Sequence, residues 1–294
     1  MVVVFALLAA LSNGTSALTQ HVASTAGKVQ PAGWRLVIFL IRNPLWLLGA
    51  AAQVGAFLFQ ALALHNGEVS VVQPLLVNEL IIVLVLRRVW LRQHIVLGAW
   101  NGALLTCAGL AVFLIAGEPR GGRPVPASHH WITAIAVIVV VAAVLAFAGR
   151  HGSPSRRAAA FAGAAGITWA LEATFIKATT DTITEFGLGG MFLHWPVYAV
   201  AAGGAAGVLL EQEALHVGPL RVSQPIMVIL DPIVSIALSV WLFDEHFIPN
   251  ALVLVAAVAG FAVMCVGVVY LTRKAPETAE ADAGDPAEAA APQG

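Results

Sequence analysis

Residues 71–80 read VVQPLLVNEL and place a proline and a glutamate inside an otherwise apolar segment. Pro74 cannot donate a backbone hydrogen bond in a helix interior. The Glu79 carboxylate costs several kcal/mol, roughly, in hydrocarbon unless it is neutralised or paired. A segment that keeps both residues is expected to have a structural or functional use for them.

The composition around this stretch is that of a membrane protein. The 294-residue chain is 59% hydrophobic and only 11% charged, which lies outside the usual range of soluble domains. Its net charge of −1 gives no electrostatic support for a nucleic-acid partner. Cys107 and Cys265 both lie within apolar runs, so we expect packing roles for them rather than a disulfide or a metal site.

Apolar runs long enough to cross a bilayer recur along the chain and predict an all-α polytopic fold, since a spanning helix needs about 20 apolar residues. The nine predicted spans are 2–23, 43–64, 69–89, 96–116, 131–148, 158–179, 188–210, 220–242 and 251–271. The short run 37–41, between Arg35 and Arg42, is expected to lie in the membrane interface.

The basic residues predict the orientation of these spans. With the N-terminus outside, the inner segments hold every Lys and Arg except Arg120, Arg123 and Lys177, which favours N-terminus out and C-terminus in. The alternative of a cleaved signal peptide at the first span lacks a basic n-region. The acidic Ala/Pro segment 273–294 is expected to be disordered inside the cell, and the expected location is a bacterial plasma membrane.

The opening stretch has a second copy. Residues 222–231 read VSQPIMVILD, 151 positions later, and Gln73-Pro74 matches Gln224-Pro225 without a gap. The third span runs inward and the eighth outward, so the copies are inverted. We therefore predict a first repeat at 1–116, a linker and connecting fifth span at 117–157, and a second repeat at 158–272. Inverted repeats of this kind are typical of secondary transporters.

The second copy also resembles a known superfamily. Gln224-Pro225, the acidic turn at Asp244-Glu245, and Gly260 in the final helix are similar to the drug/metabolite transporter (DMT) superfamily with its EamA-type duplicated halves. Nine spans and the turn at 149–152 most resemble its NIPA group, which implies magnesium transport. The sequence departs from that pattern at Gln53, where the resemblance implies an acidic residue.

Three carboxylates lie near the middle of predicted spans: Glu79, Glu172 and Asp231. Desolvation favours the neutral form of such groups, so they suit reversible protonation or cation binding. They are the candidate metal ligands if a cation is carried. The alternative is that each carboxyl serves helix packing through a hydrogen bond. By contrast, Glu245 is expected to be solvated in its turn, as is Glu211.

Other polar residues are placed to join these acids. Gln224 and Asp231 are seven apart and share a helix face, while Asn13, Ser16 and Gln20 form a stripe on the first span. His194, predicted to lie within the seventh span, is a candidate for a proton path or for packing. The complete set of candidates is Asp231, Glu79, Glu172, Gln224, Gln73, Asn13, Gln20, Thr168, Asn78 and His194.

These features predict a non-enzymatic secondary transporter of a small solute or cation, working by alternating access and coupled to protons. No Walker A, nucleophile-elbow, CxxC or HExxH motif is present in the sequence, and no cofactor is expected. The alternatives are a NIPA-type magnesium transporter or channel and a membrane scaffold that transports nothing. The expected partners are the bilayer, the solute and protons, and the oligomeric state is left open.

Overall fold

A computed structural model describes residues 1–25, 43–117, 126, 128–247 and 250–282. Ten α-helices lie in these segments: α1 (Val2–Thr25), α2 (Pro44–Asn66), α3 (Val69–Leu76), α4 (Glu79–Val89), α5 (Leu97–Gly117), α6 (Ser128–Ala148), α7 (Pro154–Gly190), α8 (Pro196–Val217), α9 (Leu220–Leu242) and α10 (Ala251–Asp282). The predicted all-helical architecture is confirmed.

The chain is an integral membrane protein with eight helical segments in its described part that are long and apolar enough to cross a bilayer. Helices α3 and α4 together form one of these segments. The remaining predicted span, the seventh, corresponds to α8, whose final turns carry Glu211 and Glu213. Its hydropathy is lowered by these acids, so the count of nine stays a prediction.

Two predicted boundaries need correction. The seventh span was predicted at 188–210, but α7 continues to Gly190 and α8 begins at Pro196, a residue favoured at the first position of a helix. The tail was predicted to be disordered from residue 273, but α10 continues to Asp282. The predicted interfacial run 37–41 and residues 283–294 lie outside the described residues.

The opening stretch folds as two helices with a break between them. Helix α3 ends at Leu76 and α4 begins at Glu79. Around the break the backbone N–H groups of Val77, Asn78 and Leu80 each donate to a carbonyl three residues back. This tighter pattern replaces the usual α-helical bonds. It follows Pro74, whose ring cannot donate to the residue four before it.

The helices pack in a pattern that repeats between the two ends of the chain. Helix α1 packs against α2 and against the α3–α4 segment, and α7 packs in the same way against α8 and α9. Helices α3 and α9 contact each other, and α5 packs along α10. Helix α6 contacts α7 and α9. The acids and amides of the candidate functional site are carried by α1, α4, α7 and α9.

Close packing of α5 on α10 depends on glycines. A Cβ atom at Gly109 would lie 2.6 Å from the Gly260 carbonyl oxygen and would overlap the backbone of Met264, and one at Gly260 would lie 2.7 Å from the Phe113 nitrogen. No side chain fits at either position without moving a helix. Small residues at such crossings let transmembrane helices approach closely, which strengthens their van der Waals contact.

We predict that Gly109→Ala destabilises the protein by about 1–3 kcal/mol, because the added methyl must push α5 away from α10 backbone. Thermal unfolding in detergent, followed together with size exclusion, measures the change. Gly55→Ala is the matched control, since a Cβ there would meet only the Ser12 hydroxyl, at 3.8 Å. Equal stability of the two variants would contradict this account of the crossing.

Candidate functional site

A hydrogen-bonded polar network joins α1 to α2 and to the start of α4. The Asn13 amide Nδ2 donates to Glu79 Oε2 at 2.6 Å. Gln53 Nε2 donates to Asn13 Oδ1 at 3.1 Å, and Ser16 Oγ donates to Gln53 Oε1 at 3.0 Å. Gln20 Nε2 donates to Ser16 Oγ at 2.8 Å. The predicted stripe of α1 therefore leads to the Glu79 carboxyl through continuous hydrogen bonds.

The break between α3 and α4 positions Glu79 for this contact. Glu79 is the first residue of α4. The neighbouring Gly14 of α1 packs so closely that a Cβ there would lie 3.1 Å from the Glu79 carbonyl oxygen. A larger residue at position 14 would separate α1 from the break and lengthen the Asn13–Glu79 bond. The sequence Asn13-Gly14 thus supplies both the donor and the space for it.

Gln53 stands where the NIPA resemblance implies an acidic residue, and it has a role in the network that the sequence did not indicate. Its amide is both donor and acceptor, and here it links Asn13 to Ser16. A carboxylate could accept from Ser16 but, when ionised, could not donate to Asn13. The spacing of Gln53 along α2 gave no signal of this role.

A second group of acids comes from α7 and α9. Asp231 Oδ1 accepts a hydrogen bond from Ser235 Oγ at 3.0 Å, one turn further along α9. The carboxyl groups of Glu172 and Asp231 lie close enough to repel each other when both are ionised. Asp231 also interacts electrostatically with Glu79. Glu79, Glu172 and Asp231, from α4, α7 and α9, are therefore linked electrostatically into one coupled centre, and Glu211 of α8 also interacts with Glu79.

Glu172 differs from the other two acids in its bonding. It is 7% exposed and accepts no hydrogen bond from the residues that the structure describes. Gly203 and Gly204 of α8 face it: Cβ atoms added there would lie 3.5 Å from Glu172 Cγ and 3.8 Å from Glu172 Oε1. Unlike Glu79 and Asp231, Glu172 therefore has no donor among the described residues and lies against the glycines of α8.

The remaining predicted residues are not part of the network. Thr168 Oγ1 donates to the Ala164 carbonyl of its own helix, and Asn78 Nδ2, in the break, donates to the Leu75 carbonyl of α3. His194 lies before α8 rather than inside a span. Its Nδ1 is 2.9 Å from the Gly190 oxygen, and its ring stacks on Phe186. The structure does not bring His194 to the acids.

The two glutamines of the repeated Gln-Pro motif have different surroundings. Gln73 is 2% exposed, and its Nε2 has no hydrogen-bond partner among the described residues. Gln224 is partly buried on α9, two turns before Asp231. Gln73 and Gln224 lie on α3 and α9, the two helices that contact each other across the halves. An unpaired buried amide donor at this contact is available to a hydrogen-bond acceptor.

The expectation that Glu211 is solvated was wrong. Its Oε2 accepts a hydrogen bond from Trp169 Nε1 at 3.1 Å, and the Trp169 ring packs against Gly207 of α8. This hydrogen bond joins Glu211 of α8 to Trp169 of α7, which lies one turn before Glu172. Across the described segments, no group of three or more His, Cys, Asp or Glu side chains is arranged to hold a metal ion.

Comparison with known proteins identifies a bacterial relative of this chain. The chain is 27% identical over 248 residues to an uncharacterised protein of Corynebacterium glutamicum, which covers 84% of this chain and 86% of the relative. No family model matches the chain, and no solved structure matches it. The likeness therefore extends over most of both chains.

We predict that Asn13→Ala and Glu79→Ala are energetically coupled by about 0.5–2 kcal/mol, because each removes one side of the same intramembrane hydrogen bond. A double-mutant cycle of unfolding free energies in detergent measures the coupling. Asn13→Ala combined with Thr133→Ala is the control, since Thr133 bonds only to His129 of its own helix. Additive effects in the Asn13/Glu79 pair would contradict the network.

Proposed function

We propose that the chain is a secondary transporter that moves a small solute or cation by alternating access, coupled to protons. The observation that carries the proposal is the coupled centre of three acids, since its members come from both halves of the chain: Glu79 from α4, and Glu172 and Asp231 from α7 and α9. Intramembrane ionisable residues that face one another typically mark ion or substrate pathways.

The broken third span supports this proposal. Discontinuous helices at the middle of the membrane form substrate and ion sites in secondary transporters, because their ends supply unpaired backbone groups and dipoles. Irregular backbone at that depth is tolerated only where protein buries it or where it lines a wet cavity. In this chain the break between α3 and α4 presents Glu79 to Asn13 of the neighbouring helix.

The packing supports two inverted halves. Residues related by the 151-position repeat meet at the α5–α10 crossing: a Cβ at Gly109 would lie 2.6 Å from the Gly260 oxygen, and one at Gly260 would lie 2.9 Å from the Gly109 oxygen. Equivalent residues meet in this way on a two-fold axis. The matching contacts of α1 with α2 and of α7 with α8 agree with it. Exchange of conformation between such halves converts one access state into the other.

The different bonding of the acids supports proton coupling. Glu79 and Asp231 each accept a hydrogen bond from a side chain, whereas Glu172 accepts none from the described residues. Two like charges in close proximity disfavour simultaneous ionisation. Binding of a cation or of a proton at Glu172 would relieve its repulsion with Asp231. We propose that the solute and protons compete for this centre in a bacterial plasma membrane, with the N-terminus outside.

A comparison of metabolites and metals in cells with and without the protein tests the function. We predict that the level of at least one solute changes with the wild-type chain, and that Glu172→Gln or Asp231→Asn removes at least about nine-tenths of the corresponding flux in proteoliposomes, the loss expected for a group essential to binding or coupling. Each variant is first shown to be folded by size exclusion.

Glu213→Gln is the control for these variants, since Glu213 is an exposed acid near the end of α8. It should transport at the wild-type rate. Wild-type flux in both Glu172→Gln and Asp231→Asn, with unchanged dependence on pH, would contradict the proposed coupling centre. Rescue of a strain deficient in magnesium uptake, by the wild type and not by Asp231→Asn, would instead favour the magnesium transporter.

A further inference from the structure

The N-terminus of α3 is capped by an acid from the other half of the chain. Glu245 lies after α9, and its Oε1 accepts a hydrogen bond from the Val69 nitrogen at 2.9 Å. Its Oε2 accepts from the Ser70 nitrogen at 3.2 Å and from Ser70 Oγ at 2.5 Å. The residue at the cap position of α3 itself, Glu68, makes no side-chain cap. Glu245 therefore supplies the acceptors that the first turn of α3 lacks.

The expectation that Glu245 is solvated was wrong, since it is only 3% exposed. Burial raises the pKa of its carboxyl, and the hydrogen bonds from Ser70 and Val69 oppose that rise. A carboxylate that leaves these three donors loses all three hydrogen bonds, and water is the partner that can replace them. Separation of Glu245 from α3 must therefore be accompanied by entry of water.

A lysine of the second half of the chain binds the end of α2, the helix that precedes α3. Lys177 Nζ of α7 donates to the Leu64 carbonyl oxygen at 2.7 Å, within the last turn of α2, and lies 3.7 Å from Asp181 Oδ1. Thr184 Oγ1 of α7 lies 3.4 Å from His65 Nδ1. A cation at a helix C-terminus and an anion at a helix N-terminus both match the helix dipole. The α2–α3 turn at 65–68 is thus bonded by Lys177 on its α2 side and by Glu245 on its α3 side.

An aromatic cluster includes residues close in sequence to both charged side chains. Trp131 of α6 contacts three other rings, with centroids 5.8 Å from Phe175, 5.1 Å from Trp195 and 5.9 Å from Phe243. Phe243 is two residues before Glu245, and Phe175 is two residues before Lys177. Phe175 also faces Gly203, the glycine beside Glu172. The cluster is therefore adjacent in sequence to both charged residues, and its Phe175 ring lies against Gly203 beside Glu172.

We propose that Glu245 and Lys177 form a latch of charge-assisted hydrogen bonds that holds the α2–α3 turn against the second half and closes this end of the protein. The inference rests on the proposed function, since a latch between halves is useful only if they move. Its opening would separate the turn at 65–68 from α7 and from the end of α9, while leaving the α5–α10 crossing in place. In the proposed orientation this end faces outward.

Pulsed electron paramagnetic resonance tests the latch in the full chain. Cys107 and Cys265 are replaced by Ser, and spin labels are attached at cysteines replacing Asn66 and Glu185, two exposed residues on opposite sides of the latch. We predict one dominant short distance between the two spin labels when the latch residues are unchanged. Glu245→Gln, Lys177→Met and Ser70→Ala should each increase a longer-distance population about fivefold, the effect of losing one charge-assisted hydrogen bond.

Glu213→Gln is the control and should leave the distances unchanged. Distances that stay the same in all three latch variants, with folding verified by size exclusion, would overturn the latch. The test needs no solute, so it separates the two proposals. Longer distances without any solute flux would leave the latch standing and contradict transport, whereas flux with unchanged distances would contradict only the latch.

Discussion

The hydrogen bond from Asn13 to Glu79 is the interaction on which the polar centre depends. In the absence of water, a carboxyl at the start of a broken helix needs a donor from a neighbour, and α1 supplies it at 2.6 Å. Gly14 brings α1 close enough for this contact. Gln53 and Ser16 then hold the Asn13 amide in its orientation. The break, which would otherwise expose polar atoms to lipid, therefore lies where α1, α2 and α4 are joined by hydrogen bonds.

The same constraint explains the ends of the helices at the α2–α3 turn. The turn leaves carbonyl groups at the end of α2 and N–H groups at the start of α3 without partners in their own helices. Side chains from the other half bond one carbonyl at the end of α2 and two N–H groups at the start of α3, through Lys177 and Glu245 respectively. Polar bonds between the halves are therefore made at a surface turn. The α5–α10 crossing, by contrast, is built from glycines and apolar contact.

Much of the fold could be predicted from the sequence because membrane spans are long and apolar. Pro74 predicted a disturbance of the third span, and the structure has the break two residues later. The sequence did not distinguish Pro74 from Pro225 and Pro232, which lie inside the continuous helix α9. A proline removes one backbone bond in either case, and the neighbouring helices decide whether the helix bends or ends.

The candidate site was predicted in part. Asn13, Gln20 and Glu79 were chosen for their depth and spacing, and the structure joins them in one network. Gln53 and Glu245 were not predicted as site residues, because neither belongs to a predicted polar stripe, and their partners lie 40 and 176 positions away. Spacing along one helix shows which residues share a face, but it does not identify the partner helix. His194 was chosen because a span boundary was misplaced, and α8 begins after it.

Thiol accessibility from the two sides of the membrane tests alternating access most directly. Ser235 is 0% exposed and lies one turn from Asp231, so a single cysteine at this position, with Cys107 and Cys265 replaced, reports on the centre while leaving its acids in place. Right-side-out and inverted vesicles are treated with a membrane-impermeant thiol reagent. We predict modification from both sides. Modification from neither side or from one side only, in a protein whose thiol reacts fully once denatured, would contradict alternating access.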